Sequence, residues 1–131
     1  MVRSGVSYCP RLSHMDGHRK LPVWQDARAL VLEIYAVTRA LAQDERFVTV
    51  LQLRRAAWSV PNNIAEGNAR RGRAQLRQFL NCTLGSLGEI DSMMAVLPDL
   101  YRMDADKVAA IDRLRIDVTR GIFRLMRGPG R

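Results

Sequence analysis

Apolar residues recur at helical spacing from Leu21 onward. Val23, Ala27, Leu30, Ile34, Val37 and Leu41 follow one another in steps of three and four, which puts them on one face of a helix. Pro22 suits the first turn, where a missing N–H is no loss. The pattern predicts a helix over residues 22–42. Asp44 is a good N-cap for a second helix, and this one has an unusual distribution. At about 100° per residue, Leu53, Ala57, Val60 and Ile64 share one face, while Phe47, Leu51, Trp58 and Ala65 share another about 130° away. Arg55, Ser59, Asn62 and Glu66 line a third, polar face. A helix with two apolar faces needs two things to pack against, and in so short a chain the second is expected to be another subunit, with Phe47, Leu51 and Trp58 as its interface. Pro61 removes one backbone hydrogen bond and predicts a kink near Ala57. Gly67 reads as the helix stop.

Residues 68–72 then form a basic turn. A third helix is expected over about residues 73–97, because Leu76, Leu80, Thr83, Leu87, Ile90, Met94 and Leu97 alternate steps of four and three, the seam of a bundle or coiled coil. Gly85 and Gly88 interrupt it, each at about 1 kcal/mol of helix propensity against Ala, so a close approach of helices is expected there. Residues 98–103 make the next turn. Asp104 caps a fourth helix, Asp106 adds negative charge to its first turn, and Arg124 and Arg127 sit where a C-terminus favours cations. Val108, Ile111, Leu114, Val118, Ile122 and Leu125 form its core stripe, and Gly128-Pro129-Gly130 ends it. No run reads as a strand, and no repeat is evident. The expected fold is all-α: an antiparallel up-down-up-down four-helix bundle over residues 21–127. Residues 1–20, without periodicity, read as a flexible N-terminal tail in which Met15 offers an alternative start, and residues 128–131 as a short C-terminal tail.

Composition adds little until charge is counted. A chain of 131 residues, 47% hydrophobic and 26% charged, fits one domain with its own core. No stretch of 18 apolar residues exists to span a membrane, and two cysteines, Cys9 and Cys82, make no disulfide framework. With no secretory signal either, the cytoplasm is the expected location. The net charge is +8, carried by 19 Arg and only 2 Lys. A GC-rich genome would enrich arginine everywhere, yet the excess is local. Residues 54–77 hold Arg54, Arg55, Arg70, Arg71, Arg73 and Arg77 against Glu66 alone, while the two segments that follow and precede them are nearly neutral. Arg70, Arg71, Arg73 and Arg77 lie in and just after one turn, at the start of the third helix. Helix N-termini attract anions, and guanidinium groups add bidentate phosphate contacts. They are the first candidates for nucleic-acid binding, with Arg54 and Arg55 as a second group. No aromatic residue interleaves the turn, so contacts to the phosphate backbone, largely independent of sequence, are expected. The competing account is a solvated turn on a protein-interaction scaffold with no affinity for nucleic acid.

No catalytic constellation emerges. His14 and His18 are four apart but lack a third ligand, so no metal site is expected. Cys82 lies beside the third helix's seam and reads as a small packing residue. The Glu-x-x-His signature of di-iron bundles is missing. Gly85-Ser86-Leu87-Gly88 lacks P-loop spacing and sits in mid-helix, where backbone N–H groups are already bonded. Glu66, with Ser59, Asn62 and Asn63 around Pro61, has neither a nucleophile nor a second base to work with. The expectation is a non-enzyme without cofactor.

Several runs together resemble a known family. They are Val23-Trp24, Leu53-Arg54-Arg55-Ala56, the run Ser59-Val60-Pro61-Asn62-Asn63-Ile64-Ala65-Glu66-Gly67, Phe79-Leu80, and Gly85-Ser86-Leu87 with Glu89. The combination resembles the four-helix bundle proteins encoded in intervening sequences of 23S ribosomal RNA genes, over about residues 21–127. Gly72 stands where the family often has a serine cap, and Gln75 where it often has an acid. The resemblance implies an antiparallel bundle assembled as a homopentameric ring, in agreement with the second apolar face. A bundle related in fold, the accessory variability determinant of diversity-generating retroelements, is also pentameric and binds a reverse transcriptase and nucleic acid. By analogy, RNA or a ribonucleoprotein is the expected partner, and a ring would multiply weak phosphate contacts.

Overall fold

Each apolar stripe of the sequence closes onto the next in a bundle. The structure, a computed structural model, describes residues 17–41 and 46–128. Four helices make it up: α1 (Pro22–Thr38), α2 (Arg46–Ala69), α3 (Arg73–Leu100) and α4 (Ala105–Arg127). Short 3-10 turns at Gly17–Lys20 and Arg39–Leu41 flank α1, and no strand occurs among the described residues. α1 packs on α2 and α4, and α3 packs on α2 and α4, while the diagonal pairs α1–α3 and α2–α4 keep their backbones apart. That cyclic order is the up-down-up-down bundle. Its core takes one stripe from each helix: Leu30 and Ile34, Leu53 and Ile64, Leu80 and Ile90, Ile111 and Ile122 are all fully buried. Arg115 of α4 adds an ion pair across to Asp91 of α3 (3.4 Å) and another within α4 to Asp112 (2.7 Å).

The helix ends depart from the sequence reading in instructive ways. α1 stops at Thr38 rather than 42, and the chain tightens into the 3-10 turn that follows. Thr38 is buried, and its hydroxyl donates to Ile34 O at 2.6 Å, competing with the regular backbone ladder. The Asp44 cap falls outside the described residues. α2 is unbroken through Pro61 and passes Gly67 to end at Ala69. Gly67 is therefore not the stop. It is buried, and a Cβ there would lie 3.1 Å from Phe79 Cβ and 3.2 Å from Leu76 Cδ1, so it serves the close approach of α2 and α3. The turn is made at Gly72, whose φ of +91° only glycine takes readily. α3 runs through Pro98 to Leu100, since a proline in the last turn removes one hydrogen bond without ending the helix.

Asp104 caps α4 as expected, accepting from the N–H groups of Asp106 (2.9 Å) and Lys107 (3.2 Å). Gly85 and Gly88 do not meet a neighbouring helix: both are exposed, with nothing within 4 Å of where a Cβ would stand. The glycine at a true close approach is Gly121, where a Cβ would sit 2.6 Å from Val23 Cγ2. Cys82 is exposed rather than packed. Of the expected N-terminal tail, residues 1–16 fall outside the described residues, whereas Gly17–Lys20 is an ordered 3-10 turn, with the His18 ring 5.1 Å from Trp24.

Candidate nucleic-acid interface

Antiparallel topology decides where the charge collects. The start of α1, the end of α2, the start of α3 and the end of α4 share one end of the bundle: Gly17 lies against Asn68, and Arg73 reaches the last turn of α4. That end gathers Arg19, Lys20, Arg70, Arg71, Arg73, Arg77, Arg124 and Arg127. Among the described residues, the carboxylates counted over the same stretches are Glu66 and Asp26, the latter at the fifth position of α1 as Arg77 is of α3. Half of the cations, Arg19, Lys20, Arg124 and Arg127, are absent from the cluster read along the sequence. The signal that would have found them was available, because alternating helix direction brings every second helix terminus to the same end.

The arginines of the sequence cluster are not equivalent. Arg73 Nη2 donates to the carbonyls of Leu125 (3.2 Å) and Met126 (2.8 Å), and Arg77 Nη1 reaches Met126 O at 3.5 Å. These are carbonyls of the last turn of α4, at the negative end of the helix dipole, and Leu125 O also accepts from the Gly128 N–H at 3.1 Å. Arg70 pairs with Glu66 at 3.0 Å and lies over the Phe79 ring, 5.2 Å from its centre. Arg71 is exposed, with no side-chain partner among the described residues. Arg54 lies apart: its Nε donates to Thr38 Oγ1 at 2.9 Å, and its guanidinium sits 4.2 Å over the Tyr35 ring, so it fastens α1 to α2. Arg55 is exposed and lines a groove between α2 and α3 that also holds Leu51, Gln52 and Glu89. At about 1.5 Å per residue, Arg54 and Arg55 are about 22 Å along α2 from Arg70, so the two groups do not form one patch.

An aromatic also reaches the basic end, although the sequence of the turn has none. Phe123, 47% exposed, lines an open groove of about 800 Å³ between α3 and α4 with Arg77, Asn81 and Arg127. The second apolar face of α2 is equally plain: Phe47 is 60%, Trp58 49% and Leu51 37% exposed. Trp58 is anchored rather than loose, its Nε1 donating to Tyr35 OH at 2.9 Å.

A profile of 23S rRNA-intervening sequence proteins matches residues 19–123. The chain belongs to that family. No curated protein shows significant similarity to it. The residues that carry the 23S rRNA-intervening sequence protein signature are largely fasteners of this bundle. Ser59 and Ser86, from the two separate motifs, place their hydroxyls 2.7 Å apart across α2 and α3. Asn63 Nδ2 donates to Ser59 O at 2.8 Å and to Ser59 Oγ at 2.9 Å. Gly67 permits the contact of α2 with Leu76 and Phe79, and Glu66 holds Arg70. Among the described residues no group of three or more His, Cys, Asp or Glu is placed to hold a metal ion, and no helix is long and apolar enough to cross a membrane. His14 lies outside the described residues, and His18 packs on Trp24.

Proposed function

We propose that this family member is a non-enzymatic, cytoplasmic, homo-oligomeric bundle, pentameric as the family resemblance implies, that binds RNA or a ribonucleoprotein through its arginine-rich end. The supporting observation is the gathering of eight cations against two carboxylates, Glu66 and Asp26, at one end of the bundle. Such a surface concentrates phosphates and releases their counterions. Arg71, Arg124 and Arg127 carry the phosphate contacts in this reading, because Arg73 and Arg77 are engaged by α4, Arg70 by Glu66 and Arg54 by Thr38 and Tyr35. Phe123 in the adjoining groove offers a ring for an unpaired base to stack on. The exposed stripe of Phe47, Leu51 and Trp58 supports self-association.

The test is fluorescence anisotropy of a labelled structured RNA titrated with protein across a salt series. Affinity that falls steeply with salt, and falls further in Arg71→Glu/Arg124→Glu/Arg127→Glu at unchanged helicity, is the expected result. Equal affinity in that variant refutes the assignment. Phe123→Leu is expected to weaken single-stranded RNA more than duplex. One observation favours a second reading. Several arginines already serve the fold, so a protein-interaction scaffold whose charge has a structural use fits too; it predicts no binding even at low salt.

A further inference from the structure

The α1–α2 face of the bundle is apolar and basic. A groove of about 360 Å³ between these helices is lined by Trp24, Leu32, Tyr35 and Trp58, with Arg28 on α1, Arg39 in the 3-10 turn just after it, and no carboxylate. Leu32 is 52% exposed, and the exposed Phe47 and Leu51 continue the surface along α2. Neither Arg28 nor Arg39 has a carboxylate partner among the described residues.

The outward face of α3 has the opposite character. Gly85, Gly88, Glu89, Ser92, Val96 and Asp99 are all exposed there. Between Arg77 and Arg102 the chain carries no cation, only Glu89, Asp91 and Asp99. Asp91 is taken by Arg115 and Glu89 accepts only the Gln52 amide at 3.1 Å, while Asp99 has no ion pair among the described residues. Two helical glycines with nothing within 4 Å cost propensity that nothing inside this chain offsets. A second chain packing closely at that point would offset it.

The two faces also match in register. Arg28 on α1 and Arg39 immediately after its end are eleven residues apart, about 16 Å at a rise of about 1.5 Å per residue, and they bracket Leu32 and Tyr35. Glu89 and Asp99 are ten residues apart on α3, about 15 Å, and they bracket Ser92 and Val96. We infer that the α3 face of one copy docks on the α1–α2 face of the next, with Glu89 and Asp99 on Arg28 and Arg39 and with Leu32 and Trp58 over the small residues of α3. The inference rests on the self-association read above and specifies its geometry. Like-on-like pairing would set arginine against arginine, so the contact is head-to-tail. Because α1 and α3 lie on a diagonal, each copy keeps one face of each kind free for a neighbour, and the contact propagates until a ring closes.

Light scattering on five proteins tests this. The natural chain is expected to run as a multiple of 14.9 kDa. Arg28→Glu/Arg39→Glu and Glu89→Arg/Asp99→Arg are each expected to fall to the single-chain mass at unchanged helicity, and the chain carrying all four changes to assemble again. Gly88→Leu, which meets open space within its own chain, is expected to stay folded and lose assembly. A natural chain that assembles while the charge-reversed variants assemble equally overturns the pairing and leaves self-association standing. A four-fold variant that is folded yet single overturns the pairing as well. A natural chain that is single at every concentration overturns both.

Discussion

Gly121 tests the packing of α1 on α4 with a single methyl group. In an isolated helix Gly→Ala is a gain of about 1 kcal/mol. Here the added Cβ would lie 2.6 Å from Val23 Cγ2 and 2.8 Å from Val23 Cβ. Rotation of Val23 relieves the first contact but not the second, because Cβ does not move with χ1, and a helical valine has one strongly preferred rotamer in any case. The helices must separate, and overpacking of this kind costs about 1–3 kcal/mol. With contacts this short the upper part of that range applies, so Gly121→Ala should be destabilising by about 1–2 kcal/mol net of propensity. For a chain of this size that is a fall in Tm of roughly 3–10 °C. Thermal and urea melts at one fixed protein concentration read it, so that assembly does not enter the comparison. Adding Val23→Ala removes the 2.6 Å contact only and should recover part of the stability. A rise in Tm for Gly121→Ala would refute the reasoning, since propensity would then have outweighed the clash.

Arg73→Ala, which strips the cap from the end of α4, is expected to cost about 0.5–1.5 kcal/mol in urea melts. Arg71→Ala should instead leave stability unchanged and make the salt dependence of RNA binding shallower, by roughly 0.7–0.9 in slope for each phosphate that Arg71 neutralises. Ser59→Ala and Ser86→Ala should be coupled by about 0.5–1.5 kcal/mol in a double-mutant cycle, because each single change leaves the other hydroxyl short of a partner. Asp26 has a pKa raised by burial and by the neighbouring Asp117 charge. The folded chain therefore holds that proton more tightly than the unfolded one, and stability is lost as pH rises through the window between the two values. Asp26→Asn should be the more stable protein at pH 7 in thermal melts, its advantage vanishing as pH falls below the ordinary carboxylate range.

The core was legible as stripes, although Leu76, Met94, Val108, Leu114 and Leu125 are only half-buried and Val31, Val50 and Ala56 join the core from outside those stripes. The stripes of α1, α3 and α4 were read from their spacing, and the one mixed helix, α2, was read correctly as having a buried and an exposed apolar face. What misled was glycine. Gly67, Gly85 and Gly88 all carry the same low helix propensity, yet the first sits at a tight contact and the other two face open space. Propensity is local, and the distance to a neighbouring helix is not. The arginines differ from one another for a related reason. Arg54 and Arg73 look alike in a charge count, but one lies beside Thr38 and Tyr35 and the other beside the end of α4. Those partners are separated from them by 16 and 19 residues in the first case and 52–53 in the second. Conversely, Arg124 and Arg127 were seen only as helix-dipole partners until the topology brought them beside the turn.

The attachment of Arg73 and Arg77 to the last carbonyls of α4 makes two distant stretches of chain a single unit of opening. A helix terminus normally frays alone, but here the final turn of α4 is fastened by side chains from the first turns of α3. Amide protons at the two termini should therefore exchange with solvent together, more slowly than an isolated end. A phosphate that draws Arg73 away would release the far end of the chain as well, so that occupancy of the basic end would be recorded in the exchange of residues that never touch the ligand.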